Sequence, residues 1–222
     1  MSYQTVKLAA GMHSPDEGRG CLLEIVSMLA GEKFSDRPQC ACPIISAFAR
    51  GTNDWMNDEE RQLLWPFTTR LVDSKADDIV EQARTYRIAD WLLREVDPLA
   101  FELAGYPAEA DNIRALAPIT NEETARWAWL NFRSISKESC SARVTTVSHF
   151  ARFVERNSLP LAIRVASYAS LAADIHGFSD RSKLVQMRID LLDELLPAAP
   201  IPADAVASAL AEELQATASS YA

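Results

Sequence analysis

A chain of 222 residues with 48% hydrophobic side chains has room for one large core or two smaller ones and needs no cross-links to fold. Its 31 acidic against 22 basic residues give a formal charge of −9, which argues against direct nucleic-acid binding, because that affinity comes from Lys and Arg neutralising phosphates and no basic cluster stands out. Four cysteines, two of them at 40 and 42, do not form a disulfide framework. The opening residues lack a basic start followed by an apolar stretch, and no apolar run reaches bilayer length, so the expectation is a cytoplasmic protein with reduced thiols and no membrane contact.

Few glycines and an abundance of Ala and Leu favour helices. "SYQTVKLAAG" is the one segment with the look of a short extended lead-in. Ser14 and Glu17, with Pro15 between them, carry the spacing of a capping box. Gly18 and Gly20 interrupt it, which predicts a loose turn and then a helix from about Cys21 to Ala30, stopped by Gly31. "EKFSDRPQCACP" reads as a loop, and Pro43 opens a helix through "IISAFARGTNDW". Asn57 and Glu60 repeat the capping spacing ahead of "DEERQLLWPFTTRLV", which Pro66 should kink.

Residues 75 to 96 form the longest amphipathic run, with Ile79, Ala83, Tyr86, Ala89 or Asp90, and Leu93 stepping by three and four as a core-facing stripe. Pro98 ends that run and begins a shorter piece up to Gly105. Thr120 and Glu123 cap another helix, in which Trp127, Leu130 and Ile135 point roughly one way. Residues 140 to 156, 159 to 176, 179 to 197 and 202 to 218 read as four more helices with short polar or proline-bearing connectors. The expectation is an all-α fold, an irregular multi-helix bundle of about eight to ten helices with antiparallel neighbours. It forms one helical domain over 1–222, with the connector near 118–121 as the place where two subdomains would meet.

Three long stretches carry a resemblance: "CLLEIVSMLAGEKFSDRPQCACPIISAFARGTNDWMNDEERQLLWPFTTRLV", "RTYRIADWLLREVDPLAFELAG" and "IRALAPIT", with "LLDELLPA" near the end. Together they resemble a family of helical proteins common in actinobacterial genomes and their phages. "WLNFRSISKESCSARVTTVSHFARFV" departs from the alanine-rich helix usual at that place in the family. The resemblance implies a bacterial or phage origin, a helical fold and a shared N-terminal corner around Cys21, Glu24, Asp36, Pro38 and Asn53. It brings no activity with it.

That corner also holds the candidate site residues, each with two readings. His13, Cys21, Cys40 and Cys42 are enough soft ligands for a tetrahedral zinc site. However, one Cys pair spaced by two lacks the paired clusters of structural zinc sites, and cysteine is commonly buried as a small apolar side chain. Cys21, after Gly20 at a helix start, is placed where a helix dipole lowers a thiol pKa, with His149 or His176 as a base; the bland account is a thiol packed beneath its helix. Glu24 and Asp36, with Asp16 and Glu17, offer carboxylates for a cation or for acid–base work. Their structural account is that Glu24 caps or pairs with the returning loop through Arg37 or Arg50, while Asp36 fixes the turn before Pro38.

Five tryptophans remain, at 55, 65, 91, 127 and 129. Trp127 and Trp129, two apart on a helix, face different ways, so the exposed one is a candidate contact for a protein partner. The acidic runs "NDEE", "KADDIVEQ", "DLLDELLP" and "AEEL" read as solvated helix faces. The sequence points to a non-enzymatic interaction protein acting through an acidic or aromatic helical surface, with no cofactor. The alternatives are an enzyme or metal-dependent protein with Cys21, Glu24 and Asp36 at its site, and a phage anti-defence protein whose acidic runs mimic nucleic acid.

Overall fold

Cys21 is extended (φ −72°, ψ 164°), and the helix α1, Leu22–Leu29, begins at the next residue. It ends through Ala30 and then Gly31, whose φ of +67° is the left-handed conformation that glycine adopts without a Cβ clash. Six of its eight residues are buried, Glu24 and Ser27 among them, so α1 is a central helix surrounded by neighbours. The computed structural model describes residues 6–135, 166 and 179–197, and all of the regular structure in them is helical. Of the extended lead-in, what forms is a single parallel bridge between Leu8 and Gly20, with Ala9 N–H donating to the Gly20 carbonyl at 2.9 Å.

The chain groups into two compact units. One takes the residues up to Ala76 together with those from Val185 onward; the other is Asp77–Leu184.

In the first unit, α1 packs against α2 (Pro43–Trp55) and α4 (Phe67–Leu71). Pro43 stands at the first position of α2, where its missing N–H costs nothing, and Ile44, Ile45, Ala47, Phe48 and Ala49 are buried. The capping box expected at Asn57 forms on both sides: Glu59 and Glu60 N–H groups donate to Asn57 Oδ1 at 3.0 and 2.9 Å, and Asn57 N–H donates to Glu60 Oε2 at 3.0 Å. It opens the short α3, Asp58–Arg61, which tightens into a 3₁₀ turn over Gln62–Leu64 before Pro66. The buried Arg61 turns back on the end of α2, donating to the Asn53 carbonyl at 2.8 Å and to the Met56 carbonyl, two groups the helix leaves unpaired.

The last described helix, α9 (Arg181–Leu195), lies largely in this unit. Its Arg188 is fully buried with the guanidinium 3.6 Å from the Trp55 ring centroid. Arg70 of α4 grips the far end of α9, donating to the carbonyls of Asp193 (2.8 Å), Leu196 (2.7 Å) and Pro197 (2.5 Å) and pairing with the Asp193 carboxylate. A cation there satisfies terminal carbonyls and meets the negative end of the helix dipole.

In the second unit, Asp77 caps α5 (Asp78–Trp91) by accepting from Val80 N–H at 3.0 Å. Of the stripe expected at Ile79, Ala83, Tyr86, Ala89 or Asp90, and Leu93, the last three positions are buried and the first two are not. Ile79 is 80% exposed and Ala83 is exposed, whereas Glu81, Thr85, Ile88 and Leu92 face inward with Tyr86, Ala89 and Leu93. Glu81 tolerates that position because Arg84 pairs with its carboxylate at 3.2 Å, and Thr85 tolerates its own because its hydroxyl donates to the Glu81 backbone carbonyl at 2.9 Å, so polarity alone does not mark the solvent side here.

Pro98 does not break the helix either. α5 runs through a π turn, Leu92–Val96, straight into α6, Asp97–Leu103. The carbonyl four residues before Pro98, which a proline can neither bond nor approach closely, is that of Arg94, inside the widened turn. Gly105, at φ +85°, ends α6. α7 (Pro107–Arg114) packs on α6 and contacts α8 (Glu122–Ile135). The cap of α8 is Asn121 and not the expected Thr120 with Glu123: Asn121 Oδ1 accepts from Thr124 N–H at 2.9 Å, and Thr124 Oγ1 accepts from the N–H groups of Thr120 and Asn121. The proposed helices at 140 to 156, 159 to 176 and 202 to 218 lie essentially outside the described residues.

Candidate functional site

The N-terminal corner is built around one carboxylate. Glu24, in the first turn of α1, is 1% exposed and accepts three hydrogen bonds: from Cys21 N–H at 2.7 Å, from His13 N–H at 2.9 Å, and a contact of 3.0 Å with His13 Nδ1. Its oxygens therefore satisfy donors from the start of the helix and from the loop that wraps it, while the first-turn position places a negative charge at the positive end of the helix dipole. The partner of Glu24 is His13, and neither Arg37 nor Arg50 fills that role. Gly20 fits closely against this group, because a Cβ there would meet Ile25 Cδ1 at 3.2 Å and Glu24 at 3.4 Å.

The segment before the corner is held by side chains acting on its backbone. Gln62 takes both polar groups of Leu8, accepting from its N–H and donating to its carbonyl, each at 3.0 Å, as a neighbouring strand would. Asn53 accepts from Leu22 N–H at 3.2 Å and donates to the Ala9 carbonyl at 3.1 Å, and Asp54 accepts from Gly11 N–H at 3.1 Å. Gln62 carries no advance signal in the sequence. Asn53 stands in the sequence only among the corner residues that the resemblance implies; its burial, which obliges a side-chain amide to find partners, is a feature of the fold.

Two of the described cysteines stand at helix starts. Cys21 and Cys42 each precede the first residue of a helix, and the Cys42 thiol accepts from Ile45 N–H at 3.3 Å, as a serine cap would. Burial pushes the Cys21 thiol up to about 12; the Glu24 backbone N–H opposes this and the Glu24 carboxylate adds to it. This is the reverse of an activated thiol. Cys40 is half-buried and also raised, by burial first, with the Glu32 carboxylate contributing. Glu32 in turn accepts from the N–H groups of Gln39 (2.6 Å) and Cys40 (2.8 Å), closing the loop. Asp36 meets Arg50 Nε at 2.9 Å, and Arg50 also donates to its carbonyl at 2.6 Å. Among the described residues, no three His, Cys, Asp or Glu side chains come together as a metal site. His13, Cys40 and Cys42 each keep the separate roles given above. His149 and His176 lie outside the described residues.

A different feature stands on α8. Its inner face carries Ala125, Ala128 and Phe132, all buried, with the Phe132 ring edge-on to Phe101 of α6 at 6.0 Å. On the other side Trp127 is 48% and Leu130 is 57% exposed. Trp129 is half-buried, stacked on Phe132 at 6.5 Å with Arg133 over its ring, so of the Trp127 and Trp129 pair the exposed one is Trp127. Trp91 is buried, Trp65 donates to Gln62 Oε1 at 3.2 Å, and Trp55 lies against Arg188.

No protein-family model, curated protein or solved structure matches the chain. Among the described residues, no helix is long and apolar enough to cross a membrane.

Proposed function

We propose that the chain is a non-enzymatic, intracellular interaction protein of bacterial or phage origin, and that it engages a protein through the outward face of α8. The supporting observation is that Trp127 and Leu130 stand a turn apart, about half exposed, on a helix whose opposite side already fills a core. Solvent-facing Trp beside an aliphatic side chain is the composition of an interface anchor. The polar groups of the N-terminal corner are committed to backbone donors, and the Cys21 thiol is held neutral, which supports a structural role there.

Affinity capture with the tagged chain tests the reading. Leu130→Asp should lose the partner at unchanged helicity, and a partner retained by that variant overturns it. A contact through Trp127 and Leu130 survives added salt. A partner released as salt rises points instead to the acidic runs and to nucleic-acid mimicry.

A further inference from the structure

Residues 6–13 run as a strap over α1, α2 and the 3₁₀ turn after α3, and they are held mainly by their backbone. Gln62 takes both polar groups of Leu8, Asn53 donates to the Ala9 carbonyl, and Asp54 and Glu24 accept from the N–H groups of Gly11 and His13. Val6 and Leu8 are buried, while Lys7 between them is exposed. A sheet edge takes up an added strand in the same way, with main-chain hydrogen bonds along it and alternate side chains in pockets. The receiving amides are oriented without the strap. Gln62 Nε2 also donates to the Asp58 carbonyl at 2.9 Å, and its Oε1 accepts from Trp65 Nε1 at 3.2 Å. Asn53 Oδ1 accepts from Leu22 N–H at 3.2 Å, and its Nδ2 also donates to Asp54 Oδ1 at 3.1 Å. Both side chains are thus set in advance for an extended backbone, which lowers the ordering cost of engaging one. The link from the strap to α1, residues 14–19, is exposed throughout.

We propose that this face of the first unit is a groove for an extended peptide, and that residues 6–13 are its tethered, displaceable occupant. The partner it fits is a segment of another protein with two aliphatic side chains two residues apart on an extended backbone. The seated strap shows that chemistry, since Val6 and Leu8 fill the groove and the remaining contacts read main chain. A short flexible tether gives its occupant an effective concentration of about millimolar order. An incoming segment with equal contacts therefore enters the closed chain only near that concentration, whereas one with larger anchors enters below it. The strap acts as a threshold against weak ligands.

The probe is a fluorescein-labelled peptide, QTVKLAAGMHS, the sequence of residues 4–14, with its anisotropy read on the full chain. Leu8→Asp in the chain unseats the strap and leaves Gln62 and Asn53 in place, so the probe should bind that variant at least about tenfold more tightly than it binds wild type. Gln62→Leu added to Leu8→Asp should remove the gain, and a probe carrying its own Leu8→Asp change should bind neither chain. Hydrogen exchange on wild type carries the test if Leu8→Asp perturbs folding. Excess unlabelled peptide should then strip protection from the amides of Leu8, Ala9, Gly11 and His13 and leave those of α2 unchanged. Equal affinity of the probe for wild type and a folded Leu8→Asp chain, binding indifferent to Gln62→Leu, or strap amides that stay protected in excess peptide overturns the proposal. A wild-type mass that doubles on concentration and returns to monomer with Leu8→Asp makes the strap of a second copy the occupant, and overturns the partner reading.

Discussion

Glu24 organises its neighbourhood through the number of donors it satisfies. A buried carboxylate is costly unless its oxygens are saturated, and here two backbone N–H groups and an imidazole nitrogen do this. Glu24→Gln keeps the volume but replaces one acceptor by a donor facing donors; we expect a loss of about 2–4 kcal/mol, read as a lower urea midpoint. Cys21 gives a pH prediction. Its folded pKa is raised from 9.0 to about 12, so the folded state keeps a proton that the unfolded state releases. The contribution is complete below pH 9 and is lost between pH 9 and about 12, at up to about 1.4 kcal/mol per pH unit. Comparing urea midpoints of wild type and Cys21→Ala across that range should show a flatter decline in the variant, and equal slopes would refute it. The same shift makes iodoacetamide labelling of Cys21 near neutral pH slower than that of a free thiol in the unfolded chain.

Among the helices, legibility followed the local signals. Pro43, Gly31 and the Asn57–Glu60 pair fix boundaries through backbone chemistry confined to a few residues, and the sequence sufficed to place them. Asn57→Ala at this exposed cap should cost about 1 kcal/mol, seen as a lower thermal midpoint. The reading failed where a helix has apolar residues on two sides. α5 offers stripes through Ile79 and through Ile88, and the packing partner decides which is inside. The π turn before Pro98 was illegible for another reason. Proline reports a missing donor, and both a break and a widened turn accommodate it. In the corner, the sequence located the residues that gather but not their pairing, because His13 reaches Glu24 across a loop whose path no spacing encodes.

Over the whole molecule, the first unit is assembled from residues far apart in sequence: Arg70 bonds Asp193 and Leu196, and Trp55 takes Arg188. Arg70→Met should therefore loosen α9, leaving three carbonyls and a carboxylate without their cation. We expect about 3 kcal/mol lost and faster proteolysis near residues 193–197 at unchanged far-ultraviolet helicity. Such closure also has a cost in time. Asp193 follows Arg70 by 123 residues, which at ~5–20 residues per second is roughly 6–25 s of synthesis. During that interval a nascent chain carries Arg70 and Trp55 with their final partners still unmade, and a chaperone or a misplaced acidic segment has its best opportunity to occupy them.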